Sequence, residues 1–112
     1  MLAIARHESS FNPYAAAGTT SATGLGQFVK KTGKDYGIDD KTRWNIDSQA
    51  EALVKHFQYN KNLATKRNLP ETYIYKFHHD GPKDDYGGLK KGIEDVYPKI
   101  GVISETIKNL YY

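Results

Sequence analysis

The chain holds 112 residues, with a formal net charge of +3, 38% hydrophobic and 26% charged residues, and no cysteine. That length suits one domain with a single core, since domains commonly run about 100–150 residues. No apolar run nears the ~18 residues of a membrane-spanning helix, and a disulfide framework or a thiolate zinc site is excluded. The small positive excess suits an anionic partner, such as nucleic acid, a lipid surface or cell wall, without choosing among them. Charge interrupts the apolar start Met1-Leu2-Ala3-Ile4-Ala5 at Arg6, so the chain does not open like a signal peptide. Export then needs another route, or the chain is an excerpt from a longer parent. Nine Tyr, four Phe and one Trp suit either a cleft for sugars, whose rings offer apolar faces and hydroxyl edges, or a small aromatic core.

Apolar spacing is helical nearly throughout, with no sustained alternation of period two. Met1, Ile4, Ala5, Glu8 and Phe11 share one stripe of a first helix. Asn12-Pro13 ends it, because a residue before proline is pushed out of the helical region. Residues 14–24 form a small polar loop, and Leu25, Phe28, Val29, Thr32 and Tyr36 then recur at helical spacing until Gly37. A second loop from Ile38 to Ile46 carries the only tryptophan. Asp47 is the expected N-cap of the longest helix, whose stripe is Ala50, Leu53, Val54, Phe57 and Ala64. Leu69-Pro70-Glu71 starts another helix with Tyr73, Ile74 and Phe77 on one face, broken by Gly81-Pro82. After a loop over 82–88, helical spacing resumes through Ile100, Ile103, Ile107 and Leu110.

Glu8 is the anomaly. It stands on the apolar stripe in the last turn of its helix, where the macrodipole is negative. Burial and the dipole both favour the protonated carboxyl, the form that a proton donor in glycosidic bond cleavage needs. The plainer reading is a surface glutamate on a short helix.

His7-Glu8-Ser9-Ser10-Phe11-Asn12-Pro13 resembles the glutamate–serine signature that closes the first helix of lytic transglycosylase domains. Gly24-Leu25-Gly26-Gln27-Phe28, followed by Thr32, resembles that family's second motif, and the interval of 19 residues from Glu8 to Gln27 is similar to the family's spacing. The Thr19–Thr23 run is similar to members of this lysozyme-like group, which includes goose-type lysozymes. The likeness is specific through about residue 37. Physically, Gly24 and Gly26 would let backbone approach a ligand, and Gln27 would offer a donor and acceptors to an N-acetyl group or hydroxyl.

The chain departs from the pattern in three places. Where the family has alanine-tyrosine-asparagine-x-glycine, this sequence has Phe77-His78-His79-Asp80-Gly81-Pro82. Aligned on Gly81-Pro82, His78 takes the tyrosine's place and His79 the asparagine's, whereas a shift by one turn brings in Tyr75. Ala15-Ala16-Ala17-Gly18 replaces a stretch where relatives often carry a substrate-binding serine, a hydroxyl that Thr19 or Thr20 could supply. The segment ahead of Glu8 is short.

The resemblance implies a mainly α, lysozyme-like single domain over residues 1–112, with five or six short helices around a substrate cleft. It implies cleavage of the β-1,4 bond between N-acetylmuramic acid and N-acetylglucosamine in peptidoglycan, with Glu8 as general acid and then base. Thr19, Thr20, Gln27, Tyr75, His78, His79 and Asp80 are the substrate-binding candidates. The expected partner is the glycan strand at the bacterial cell wall, in the periplasm or outside the cell, met by a monomer without cofactor or metal, nucleic acid or stable membrane insertion. Lytic transglycosylase is the first expectation, and a hydrolytic muramidase using Asp80 the second. A binding module without activity would not need Glu8 on its apolar stripe. A metal hydrolase built on His78, His79 and Asp80 with His7 or His56 lacks ligand spacing, since adjacent helical residues point about 100° apart. Nucleic-acid binding would rest on charge alone.

Overall fold

A computed structural model describes residues 1–99; the expected stripe of Ile100, Ile103, Ile107 and Leu110 lies outside the described residues. Five α-helices form among them: α1 Leu2–Ser9, α2 Lys30–Asp35, α3 Ile46–Lys66, α4 Thr72–Asp80 and α5 Gly88–Lys91. After α5 the chain continues as a π turn, Gly92–Val96, and a 3₁₀ turn, Tyr97–Lys99. Two compact units divide the chain, one holding residues 3–58 and the other beginning at Tyr59, so α3 contributes to both.

In the first unit α1 is shorter than its apolar spacing suggests. Ala3, Ile4 and Ala5 are buried, but Ser10 (φ 52°) and Phe11 (φ 62°) turn left-handed and end the helix before Asn12-Pro13 is reached. Phe11 therefore leaves the stripe and stands 46% exposed. The helix expected from Leu25 is also replaced. Thr23 and Phe28 exchange two backbone hydrogen bonds, Thr23 N–H to Phe28 O (3.1 Å) and Phe28 N–H to Thr23 O (3.2 Å), closing a tight turn over residues 24–27. Gly24 (φ 81°) and Gln27 (φ 51°) supply its left-handed corners. Only from Lys30 does the helical spacing become a helix. Gly37 ends α2 as expected: it lies at φ 82°, and Ile38 N–H reaches back to Gly33 O at 2.8 Å, the paired closure that a left-handed residue permits.

Asn45, not Asp47, caps α3. Its Oδ1 accepts the Ser48 N–H at 2.9 Å, two positions inside the helix start, while Asp47 lies in the first turn. The buried stripe is rotated from the expected one. Gln49, Ala52, Leu53, His56, Asn60 and Ala64 are buried, whereas Ala50 is exposed and Val54 is 49% exposed. Three polar side chains on that stripe explain the error, because hydrophobicity alone assigns them to solvent. The far end of α3 closes as α2 does, with Asn68 (φ 56°) in the glycine's role and Leu69 N–H bonded to Ala64 O at 2.9 Å.

In the second unit α4 buries Ile74, Tyr75, Lys76 and Phe77 and packs on α5 and the π turn. Gly92 permits the approach: a Cβ there would stand 3.3 Å from Thr72 O and 3.4 Å from the Tyr75 ring. Lys76 is buried, and its Nζ donates to Gly81 O at 3.0 Å beyond the helix end.

Candidate active site

Glu8 is half-buried in the last turn of α1. Its neighbour Ser9 is buried, with the hydroxyl shared between Ala5 O (3.0 Å) and Leu25 O (2.8 Å). The second of these bonds pins the helix end that carries Glu8 to the glycine turn that carries Gln27. Two segments that sequence alone relates only by spacing are thus joined by one hydroxyl.

The turn is held from its other side by Gln49, which is 2% exposed. Gln49 Oε1 accepts the Leu25 N–H (2.9 Å), and its Nε2 donates to Pro13 O and Arg43 O (2.8 Å each). One buried amide therefore ties three loops together. Sequence reasoning missed it, since a glutamine in a helix reads as solvated. Only its phase with Ala52, Leu53 and His56 could have signalled burial.

The glycines serve this packing. A Cβ on Gly24 would fall 2.7 Å from Gln49 Cδ and Oε1, and one on Gly26 would fall 2.9 Å from the Phe28 ring. They admit the protein's own side chains, a correction to the expectation that they clear space for a ligand. Gln27 is also partly engaged: its Nε2 donates to Ala15 O (3.2 Å) and Gly24 O (3.0 Å). Thr19 and Thr20 are exposed, and Thr20 Oγ1 accepts the Ala22 N–H at 3.2 Å. A shallow pocket in this unit, bordered by Ser21, Lys30, Asp39, Asp40 and Arg43, includes none of the expected site residues.

In the second unit the four remaining candidates separate. Tyr75 is 0% exposed and presents nothing to solvent, so it is a core residue and not a wall of a cleft. The His78 ring is half-buried and stacks on it at 17°, with centroids 6.2 Å apart. His79 is exposed and bonds through Nδ1 to Asp80 Oδ1. The Asp80 side chain is only 1% exposed, and its Oδ2 accepts the Tyr86 and Gly88 N–H groups at 2.8 Å each. Burial by itself pushes the Asp80 carboxyl up. The His79 hydrogen bond and the two backbone N–H groups outweigh that and hold it below the usual carboxylate range. Among the described residues no group of three or more His, Asp or Glu is arranged around a common ion position.

The family model of the transglycosylase SLT domain matches residues 1–69. The chain belongs to that family. The matched span takes in Glu8, the glycine turn and all of α3, and stops before the histidine segment of α4. No curated protein and no solved structure matches the chain. As an SLT domain the chain is mainly α and lysozyme-like, and its family acts on peptidoglycan by glycosidic cleavage of the lytic transglycosylase type. No helix among the described residues is long and apolar enough to cross a membrane.

Proposed function

We propose that this SLT domain cleaves the β-1,4 bond between N-acetylmuramic acid and N-acetylglucosamine at the bacterial wall, outside the cytoplasm, with Glu8 as its acid and base. The observation that carries the reading is Glu8 at a pinned helix end, its neighbour Ser9 bonded to the motif turn at Leu25 O. Glu8 protonates the leaving O4 of N-acetylglucosamine as the C1–O4 bond breaks. The resulting carboxylate takes the proton of the muramic acid 6-hydroxyl as that oxygen bonds to C1. The product is a 1,6-anhydro ring, and Glu8 returns to its protonated form.

The rival is hydrolysis, with Asp80 activating water. A general base needs a lone pair aimed at the water. Asp80 instead directs one oxygen to Tyr86 and Gly88 and the other to His79. With Asp80 so engaged, the intramolecular 6-hydroxyl, favoured by its effective concentration, is the better nucleophile. A wall-binding module without activity remains the third reading.

One experiment tests all three. Purified cell walls are digested with the wild-type protein and with Glu8→Gln, and the soluble fragments are weighed by mass spectrometry. We expect anhydro fragments, one water lighter than reducing-end fragments, and a loss of at least ~10²-fold in Glu8→Gln. Reducing ends would favour hydrolysis, and a fully active Glu8→Gln would remove Glu8 from the chemistry. Walls that bind wild-type protein without being cut would favour the binding module.

A further inference from the structure

The first unit carries a pair of exposed rings that the reaction above does not use. Tyr14 is 69% exposed and Trp44 is 42% exposed. Their centroids lie 6.3 Å apart with the planes tilted by 36°. The Arg43 guanidinium stands 5.6 Å from the Trp44 ring centre. We propose that Tyr14 and Trp44 form a stacking platform for an N-acetylated sugar ring of the glycan strand, with the Arg43 guanidinium, which lies over the Trp44 ring, as its donor. The proposal rests on the glycan-cleaving reading above and adds a binding site to it.

Three features point to a sugar. A pyranose ring presents C–H groups on its face and hydroxyls at its edge, and an exposed aromatic ring with a cation beside it offers the matching apolar surface and N–H donors. The two rings lie side by side, a contiguous aromatic surface rather than a single exposed side chain. The backbone that carries the rings is also held in place. Gln49 Nε2 bonds Pro13 O, adjacent to Tyr14, and Arg43 O, adjacent to Trp44, and Asn12 Oδ1 accepts the Tyr14 N–H at 2.9 Å. A platform fixed before binding loses little entropy when the ligand arrives.

The same amide fixes the platform relative to the catalytic segment. Gln49 Oε1 holds Leu25 N–H, and Ser9 Oγ holds Leu25 O. A sugar on the rings is thus placed at a set distance along the strand from Glu8. The platform sets which bond of the strand reaches the acid.

Trp44 is the only tryptophan, so its emission reads this site directly and without turnover. The full chain carrying Glu8→Gln, silent in chemistry, is titrated with the N-acetylglucosamine pentamer while emission and calorimetric heat are followed together. We expect a saturable change in Trp44 emission whose midpoint matches the calorimetric one. Tyr14→Ala weakens binding about five- to tenfold, the scale of one lost ring contact, and Tyr14→Phe restores it to within about twofold. With Glu8 intact, Tyr14→Ala lowers kcat/KM on cell walls by a similar factor. Heat without any change in emission, or Tyr14→Ala binding as tightly as its parent, overturns the platform and leaves the reaction standing. If neither signal moves, the platform is overturned; if walls also stay uncut by the wild-type protein, the proposed reaction falls with it.

Discussion

Each unit is organised by one buried polar side chain, and the two differ in charge. In the first, Gln49 holds Leu25, Pro13 and Arg43 through a neutral amide. In the second, Asp80 holds Tyr86, Gly88 and His79 through a carboxylate. An amide can donate and accept at once, so it can join a backbone N–H to backbone carbonyls from separate loops. A carboxylate only accepts, so it gathers N–H groups, here the turn just after its own helix. The amide is indifferent to pH, whereas the carboxylate works only while ionised. The neutral device stands beside the segment that carries Glu8, and the acid sensitivity of that unit falls to another buried side chain, His56.

The sharpest way to break this comparison is Gln49→Leu. The change keeps the volume roughly and strands Leu25 N–H, Pro13 O and Arg43 O. Unsatisfied buried groups cost about 1–3 kcal/mol each, so we expect a loss of about 4 kcal/mol in urea unfolding, together with loss of wall cleavage. A loss under about 1 kcal/mol would show that the three loops hold without the amide.

Acid separates the units next. His56 is buried among Phe28 and Tyr36, with ring centroids 5.3 and 5.0 Å away, and burial lowers its pKa from 6.5 to about 4. The unfolded chain then binds more protons between those values, so stability is complete above about pH 6.5 and falls as pH drops towards 4. The loss is on the order of 2–3 kcal/mol, and His56→Phe should abolish it. Asp80 acts in the same direction but in a lower window: its pKa lies below the ordinary 3.8, so its contribution persists above that value and is lost only at lower pH. Amide exchange should therefore loosen around Phe28 before the Gly88 N–H is released. Simultaneous release would contradict the two separate pH windows.

A smaller effect tests the second clamp alone. A Cβ on Gly88 would stand 2.6 Å from Asp80 Oδ2. Gly88→Ala must displace the carboxylate, and we expect a loss of about 2 kcal/mol, the scale of forced overpacking. Wall binding through Tyr14 and Trp44 should persist in this variant.

Much of this was legible in the sequence, for identifiable reasons. Helices end where Gly37 and Gly81 stand, because a positive φ is easiest for glycine. The Glu8 and Gln27 motifs, 19 residues apart, agree with the family match over residues 1–69. Helical spacing misled at 25–29, where Thr23 pairs with Phe28 and turns the segment back on itself. It also misled along α3, where Gln49, His56 and Asn60 occupy the buried stripe. Tyr75 could not be sorted from its neighbours, since adjacent helical positions of similar polarity are told apart only by packing. The backbone partners of Asp80 lie six and eight residues onward, beyond the reach of any periodic pattern.

The smallest effect compares how helices begin in the two units. Helix α3 opens on Asn45, whose Oδ1 takes the Ser48 N–H at 2.9 Å, while α4 opens at Glu71 without a side-chain cap. Removing a true cap costs about 1 kcal/mol, because one N–H of the first turn loses its partner. Asn45→Ala should therefore cost about 1 kcal/mol, and Asn45→Asp or Asn45→Ser should recover most of it. Asp47→Ala should cost a few tenths of a kcal/mol, the worth of a carboxylate near a helix N-terminus, and that remainder should fade in high salt. Glu71→Ala should be close to neutral, for it removes no bond. If Asp47→Ala proved the costlier of the two α3 variants, the cap would lie two residues later than Asn45, and the first turn of α3 would begin where the sequence alone suggested.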